Sequence, residues 1–419
     1  MTFHHGITAK EPSSGAVYIK ETTTSVIGLV AFADDADEDF FPLDTPVLIT
    51  SMTKGIAKAG YEGNLRRSLE TIQAITNPTV VVIRINDPFT YGEEISLDDS
   101  IVIGSIQPNG QRTGLQALLT AKSILGVTPK INIAPDVETP DVVQTLIAIN
   151  KKLRAFSYIS PRDNNGNILA SPQDVVAYRD TLGDREIMLL YPEFISGNVL
   201  LGAVWEDKEV PEVTPIYGDG ILNAAVVAAA TRAKLDKEVG WHKSLSNVVL
   251  TGPTGISQPV TWDIEDPDTD AGYMNSHEIT TIIQHNGIRF WGNRTPSADP
   301  CFAFEVATRT AQIIKDSIIE ACFVFIDQPL TPFLAKDIID SINAFLRTLS
   351  SGKDRRLMGG SVWYDPAENS TEGLMNGILW IDYDFTPIPP LENLGLNQRI
   401  TGRYMVDFSK LIAGDSSDA

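Results

Sequence analysis

The 419-residue sequence has only two cysteines, Cys301 and Cys322, and five histidines. The cysteines show no C-x-x-C spacing, so neither a disulfide framework nor a zinc-binding set follows from them. Both read as small apolar core residues. Cationic residues are in the minority, 33 Lys and Arg against 54 Asp and Glu, giving a net charge of −21. That balance argues against nucleic-acid binding, because a phosphate backbone needs a positive face. It suits high solubility, or a partner that carries local positive charge. No run approaches the ~20 consecutive apolar residues of a membrane span, so no membrane insertion is expected. The start, "MTFHHGITAKEP", lacks the basic and apolar regions of a secretory signal, and a cytoplasmic origin is expected. What remains is a globular composition, 43% hydrophobic, in a chain long enough for two or three cores.

Periodicity supplies the architecture. "AVYIKETTTSVIGLVAFA" reads as an extended arm entering a buried strand from Ser25 to Phe32. "TPVLITS", "TVVVIRI", "KINIAPD", "FSYISPRD" and "EIMLLYPEFI" are short apolar or alternating runs that predict strands. Between them lie helical patterns: "LRRSLETIQAI", "GLQALLTAKSILG", "TPDVVQTLIAINKKLRA" opened by Thr139 and Pro140, "SPQDVVAYRDTLG", and an Ala- and Val-rich helix over "GILNAAVVAAATRAKLDKEVG". This alternation predicts an α/β main domain with a doubly wound sheet over residues 25–288, with a small polar insertion near 90–112. From 289 to 398 the pattern becomes α+β. One helix is expected after Asp299-Pro300, another from Thr331-Pro332 to about Gly352, and strands at "GGSVWYD" and "NGILWIDYDFTPIPP". Residues 1–24 form an N-terminal extended arm and 399–419 a C-terminal arm with a polar tail. In that last segment Ile400, Tyr404, Val406 and Phe408 alternate with polar residues, the period of a half-buried strand that has no evident partner.

Motifs for chemistry are weak. Asp266, Asp268 and Asp270 have calcium-loop spacing, but Ala271 stands where the loop needs glycine and His277 where it needs glutamate. "GPTGIS" lacks the Lys-Ser/Thr of a phosphate loop and reads as a turn. Arg289 and Arg294 in "RFWGNRT" could clamp an anion, though a junction anchored by Trp291 fits better. "TSMTKGIAKAG" is similar to the nucleophile segment of subtilisin-type proteases, with Ser51 as nucleophile. That mechanism places an Asp and a His before the serine, and only His4 and His5 lie upstream. An assembly protein with no catalytic, metal or cofactor site is therefore expected, the alternative being an α/β hydrolase, serine protease-like, with an unrecognised site.

Several segments together carry a resemblance: "FHHGI", "TTTSVIGLVAFADDADEDFFPLDTPVLITS", "LGVTPKINIAPDVETPDVV", "RFWGNRT" followed by "FEVATRTAQII", and "ITGRYMVDFSKLI". In this order and over nearly the whole chain, the sequence resembles the tail sheath proteins of contractile bacteriophages and R-type pyocins. The resemblance implies a subtilisin-like sheath fold without catalysis and six-fold rings of this chain stacked helically around an inner tail tube. Baseplate and tail terminator proteins would be the further partners. It also implies assembly in the host bacterial cytoplasm, residence in the virion tail, and contraction that drives the tube through a bacterial envelope. Both arms would add as strands to neighbouring copies, the N-terminal one through Val17, Tyr18 and Ile19 and the C-terminal one through Ile400, Tyr404, Val406 and Phe408. Residues 289–398 would face the tube, with Lys353, Arg355 and Arg356 as candidates for attachment to an acidic tube surface.

Overall fold

The computed structural model describes residues 17–92, 95–205, 213–402 and 405. The chain divides into two units, Met1–Pro389 and Pro390–Ala419. In chain order the first opens with β1 (Ile27–Phe32), β2 (Val47–Ile49), α1 (Met52–Lys58), α2 (Leu65–Ile75) and β3 (Val80–Ile85). A hairpin of β4 (Phe89–Thr90) and β5 (Ser96–Leu97), α3 (Asp99–Ile103) and a 3-10 turn running into α4 (Ala121–Leu125) follow. Next come β6 (Ile131–Ile133), α5 (Pro140–Leu153), β7 (Phe156–Ile159), α6 (Pro172–Arg179) and β8 (Ile187–Leu190). The run closes with β9 (Phe194–Trp205), β10 (Val213–Leu222), α7 (Ala224–Glu238), β11 (Gly255–Ile256), α8 (Asp270–Ser276), β12 (Ile279–Gln284) and β13 (Ile288–Trp291).

Eight of these strands form one sheet in the order β13-β12-β8-β7-β6-β1-β3-β2. Neighbours from β12 to β3 run parallel, and β13 and β2 close the edges antiparallel. Strand alternation sends side chains to two faces. Ile27, Leu29, Val80 and Val82 enter one core with α2 and α7, while Val30, Ile83 and Ile85 enter another with α5 and α6. Burial on both faces explains why these strands read as continuous apolar runs. Gly28 has no room for a side chain, since a Cβ there would lie 2.2 Å from Asn132 Oδ1. Asn132 in turn donates to Asn150 on α5 at 2.9 Å, which donates to Ser157 Oγ at 2.7 Å, a buried amide ladder across β6 and β7.

The C-terminal part of the first unit has α9 (Glu305–Cys322), α10 (Pro332–Ser350), β14 (Leu357–Trp363), α11 (Thr371–Met375) and β15 (Asp382–Pro387). β14 and β15 pair antiparallel as a two-stranded sheet. A separate core holds Ile19, Trp241, Ile313, Ile318, Phe345 and Leu357. In the second unit residues 390–402 show no helix or strand, and Leu391, Leu394, Leu396 and Ile400 are exposed.

Several expectations need correction. Asp299 caps only the short turn Pro300–Phe302, and α9 begins at Glu305. Phe304 is extended and bridges Arg294, and the Thr295 amide donates to Ala303 O at 2.9 Å. "GLQALLTAKSILG" starts as a 3-10 turn before turning α-helical. The boundary expected between 288 and 289 falls inside β13, so the sheet ends at Trp291. In the expected insertion, Val102 is fully buried and Asp99 accepts from Thr139 Oγ1, which ties α3 to the start of α5. Cys301 is exposed on its turn and Cys322 half-buried, so neither is a fully buried core residue. The β9–β10 hairpin was not anticipated from the sequence; Gly202, Gly218 and Gly220 and two register shifts obscure its alternation.

Candidate assembly surfaces

Ligands of open α/β sheets usually sit at the carboxyl ends of the parallel strands. Here that edge is filled by its own side chains. Arg162, following β7, donates to Asp136 Oδ1 at 3.1 Å and to Glu193 Oε1 at 2.7 Å. Arg67 reaches the other oxygen of Asp136 at 2.8 Å, and Ser160 Oγ donates to Glu193 at 2.6 Å. The Ala224 amide, at the start of α7, also donates to Glu193, whose negative charge suits a helix N-terminus. Glu138 lies 3.8 Å from Arg162 Nε and is fully buried. Desolvation, with Asp136 and Glu193 adding repulsion, drives its carboxyl well above the usual 4.5. Burial also raises Glu193, while the guanidiniums of Arg67 and Arg162 overcome burial to hold Asp136 low. The cluster is internal and neutralises itself. Ser51 is exposed at the N-cap of α1 with no capping bond. The described histidines are engaged elsewhere: His277 with Tyr273 O, His285 against Trp262, and His242 beside Trp241. His4 and His5 lie outside the described residues. The acidic turn is committed to local bonds, with Asp270 accepting from Thr261 and Asp263 from the amides of Glu265 and Asp266.

A second buried cluster holds α9 against the sheet layer. Arg232 donates to Asp236 at 2.8 Å and lies 3.6 Å from Glu305, all three essentially inaccessible. Tyr158 on β7 donates to Glu305, and Arg309 pairs with Asp236. Two turns further along, Asp316 pairs with both Lys130 and Arg154. Burial lowers the Lys130 ammonium despite that partner. Helix α9 thus meets the α/β layer through ion pairs while its Ile313, Ile314 and Ile318 line the C-terminal core.

The N-terminal segment is bound by its own subunit. The Val17 amide donates to Ser341 Oγ at 2.8 Å and the Thr22 amide to Ser317 Oγ at 3.2 Å. Ile19 is only 5% exposed and Tyr18 is 82% exposed. Alternation therefore separates the three residues expected to act together. Glu21 accepts from Trp241 Nε1 at 3.1 Å and pairs with Arg356. Of the three cations expected at the tube, Arg356 thus has an internal partner, whereas Lys353 and Arg355 are exposed beyond α10. Ile400 is 98% exposed, and Tyr404, Val406 and Phe408 lie outside the described residues.

Two features point outward. Among the described residues, β14 and β15 pair only with each other and no third strand flanks them, although the Asn343 side chain on α10 bonds the amide and carbonyl of Val362 on β14. A two-stranded sheet of this kind is an incomplete unit and a template for further strands. Beside it a groove of about 410 Å³ is lined by Leu330, Pro332, Ala335, Ile339, Tyr364 and Leu374. Phe323, Val324, Ile326 and Phe333 are exposed around the turn between α9 and α10.

Comparison with known proteins decides the family. The chain is 40% identical over 407 residues to the tail sheath protein of Escherichia phage P2, covering 97% of each chain. The chain belongs to the tail sheath proteins. Over 402 residues, 96% of each chain, it is also 40% identical to the major tail sheath protein of Serratia phage KSP20. Residues 110–296 match the phage tail sheath protein central domain, and 24–85 the tail sheath protein Gp18 domain III N-terminal region. The fold agrees: the contracted PVC sheath complex of an extracellular contractile injection system superposes with a TM-score of 0.68 at 15% identity, covering 96% of this chain and 99% of that one. The contracted helical sheath of the anti-feeding prophage gives 0.64 at 15% identity, covering 96% of this chain and all of that one. The sheath protein is a structural subunit of a contractile assembly, and no observation favours the hydrolase alternative. Sequence reasoning missed Glu21, Trp241, Ser317 and Ser341 as partners. The available signal was a tryptophan directly after α7, whose indole N–H needs an acceptor once buried.

Proposed function

We propose that this sheath subunit polymerises in six-fold rings stacked around an inner tail tube and contracts to drive that tube through a bacterial envelope, as part of a virion tail assembled in the host cytoplasm. Baseplate and terminator proteins would bound the polymer at its two ends. The subtilisin-like character of the α/β layer belongs to this reading as a likeness of fold alone.

The observation that carries the reading furthest is the two-stranded sheet of β14 and β15, which no third strand flanks among the described residues, in a chain of this family. The residues from Ile400 to Phe408 of a neighbouring copy add to one edge, and the chain ahead of Val17 of another adds to the second. Backbone ladders give such joints affinity, and alternate side chains set their register. A strand of eight residues contributes ~1 kcal/mol net per ladder bond, and Tyr404, Val406 and Phe408 about 2 kcal/mol each when buried. Ordering the segment costs ~1–2 kcal/mol per residue, so one joint is modest and two per subunit act through effective concentration. The arms then serve as hinges that survive contraction.

Electron microscopy of the protein expressed alone should show tubular polymers, and truncation after residue 399 should abolish them. Normal polymers from the truncated chain would overturn the arm reading. Lys353 and Arg355 hold an acidic tube surface through salt-sensitive attraction. Charge reversal at both should release the tube while sheath polymers still form; unchanged co-assembly would refute the attachment.

A further inference from the structure

The stretch from Val17 to Thr22 is held by its own subunit without any sheet ladder. Its two flanking amides donate to Ser341 and Ser317, which are buried on α10 and α9. Ile19 fills the core between them, and Glu21 meets Trp241 and Arg356. Trp241 is itself buried. The Arg356 amide donates to Leu349 O at 2.7 Å, which fixes the strand start from which its side chain projects. Gly240 makes room for this arrangement: with φ near +124°, a Cβ there would come within 3.3 Å of Arg356 Nε.

These contacts recur at positions 17, 19, 21 and 22, so they can be made in only one alignment. A slip of one residue moves the chain by ~3.3 Å and reverses which side chains face inward. Tyr18 or Lys20 would enter the site of Ile19, and Glu21 would leave its indole and guanidinium partners. We propose that Glu21, clamped by Arg356 and Trp241, is the register lock of the N-terminal arm. It fixes how much chain ahead of Val17 is free to reach a neighbouring copy, and it stops the root from peeling away when that neighbour moves. The proposal rests on the reading that this arm joins a second copy. In it Arg356 is a positioning residue for the arm and does not touch the tube.

The test uses the full-length protein and charge exchange. Arg356→Glu and Glu21→Arg each oppose like charges, and the double variant restores an ion pair of reversed sense. Hydrogen exchange of a peptide covering residues 17–24 reports the root, and electron microscopy reports polymer length. Each single variant should speed exchange about tenfold or more and shorten the polymers, and the double variant should recover both. Glu21→Gln, which keeps an acceptor for Trp241, should fall between wild type and Glu21→Arg. Unchanged exchange in the single variants would overturn the lock. So would a double variant that stays as defective as Arg356→Glu, since that assigns Arg356 to a partner outside the subunit. Deletion of residues 1–16 separates the two readings: normal polymers with a protected root would sink the arm reading and leave the lock standing.

Discussion

Replacing Ile19 with alanine tests whether the arm root is bound inward. The wild-type side chain is 5% exposed in a core with Trp241, Ile313 and Ile342. The substitution removes three carbons, each contributing ~0.8 kcal/mol when buried, so docking weakens by about 2.4 kcal/mol. At 1.4 kcal/mol per factor of ten, the undocked population rises about 50-fold. Any residual cavity under a still-docked arm adds to that figure. Trypsin reads the effect at Lys20, which is exposed but flanked by two held residues. When opening is fast relative to cleavage, the cutting rate follows the open population. Dissociated Ile19→Ala protein should therefore be cut at Lys20 about 50 times faster than wild type. Tyr18→Ala, at a site 82% exposed, should change the rate by less than about threefold. Equal rates for Ile19→Ala and wild type, or a larger effect at Tyr18, would refute the inward assignment.

Three further outcomes are expected. Glu138 has a folded-state pKa raised well above 4.5 by burial, so the native state keeps a proton that the unfolded chain releases. Its stability contribution is complete at acid pH and is lost as pH rises through the folded value. Glu138→Gln should flatten that loss, matching wild type near pH 4.5 and exceeding it at pH 8 in urea titrations; a variant less stable than wild type at pH 8 would contradict the assignment. Arg232→Met removes the buried cation beside Glu305 and leaves Asp236 with Arg309 alone, and equilibrium unfolding should show a loss of about 3 kcal/mol. A fluorophosphonate probe should leave Ser51 unlabelled, because no general base has been located for it; stoichiometric labelling would revive the hydrolase reading.

The alternation of helix and strand was readable because burial on both faces leaves long apolar runs between clear caps. Thr139 with Pro140 and Ser171 with Pro172 start α5 and α6 where the sequence placed them, and each cap accepts the expected amide. The start of α9 was not readable, since the bridge from Phe304 to Arg294 is a contact made only in the folded chain. The candidate surfaces were partly legible. The run "AVYIKETTTS" read as an extended arm, yet nothing in it says that Ile19 packs into a core of the same subunit. The internal partner of Arg356 was hidden for a similar reason: Glu21 is 335 residues away. Charged residues near one another in sequence invite a surface reading, and only folding shows which one has an internal counter-charge.

The two thiols differ in a way that provides an experimental handle. Cys301 projects from the Pro300–Phe302 turn into solvent, while burial pushes the Cys322 thiol up and so suppresses its thiolate. A maleimide dye added under mild conditions will mark position 301 first, with no engineering of the sequence. Mixed donor- and acceptor-labelled subunits would then give the spacing between adjacent copies by energy transfer, before and after the tail fires.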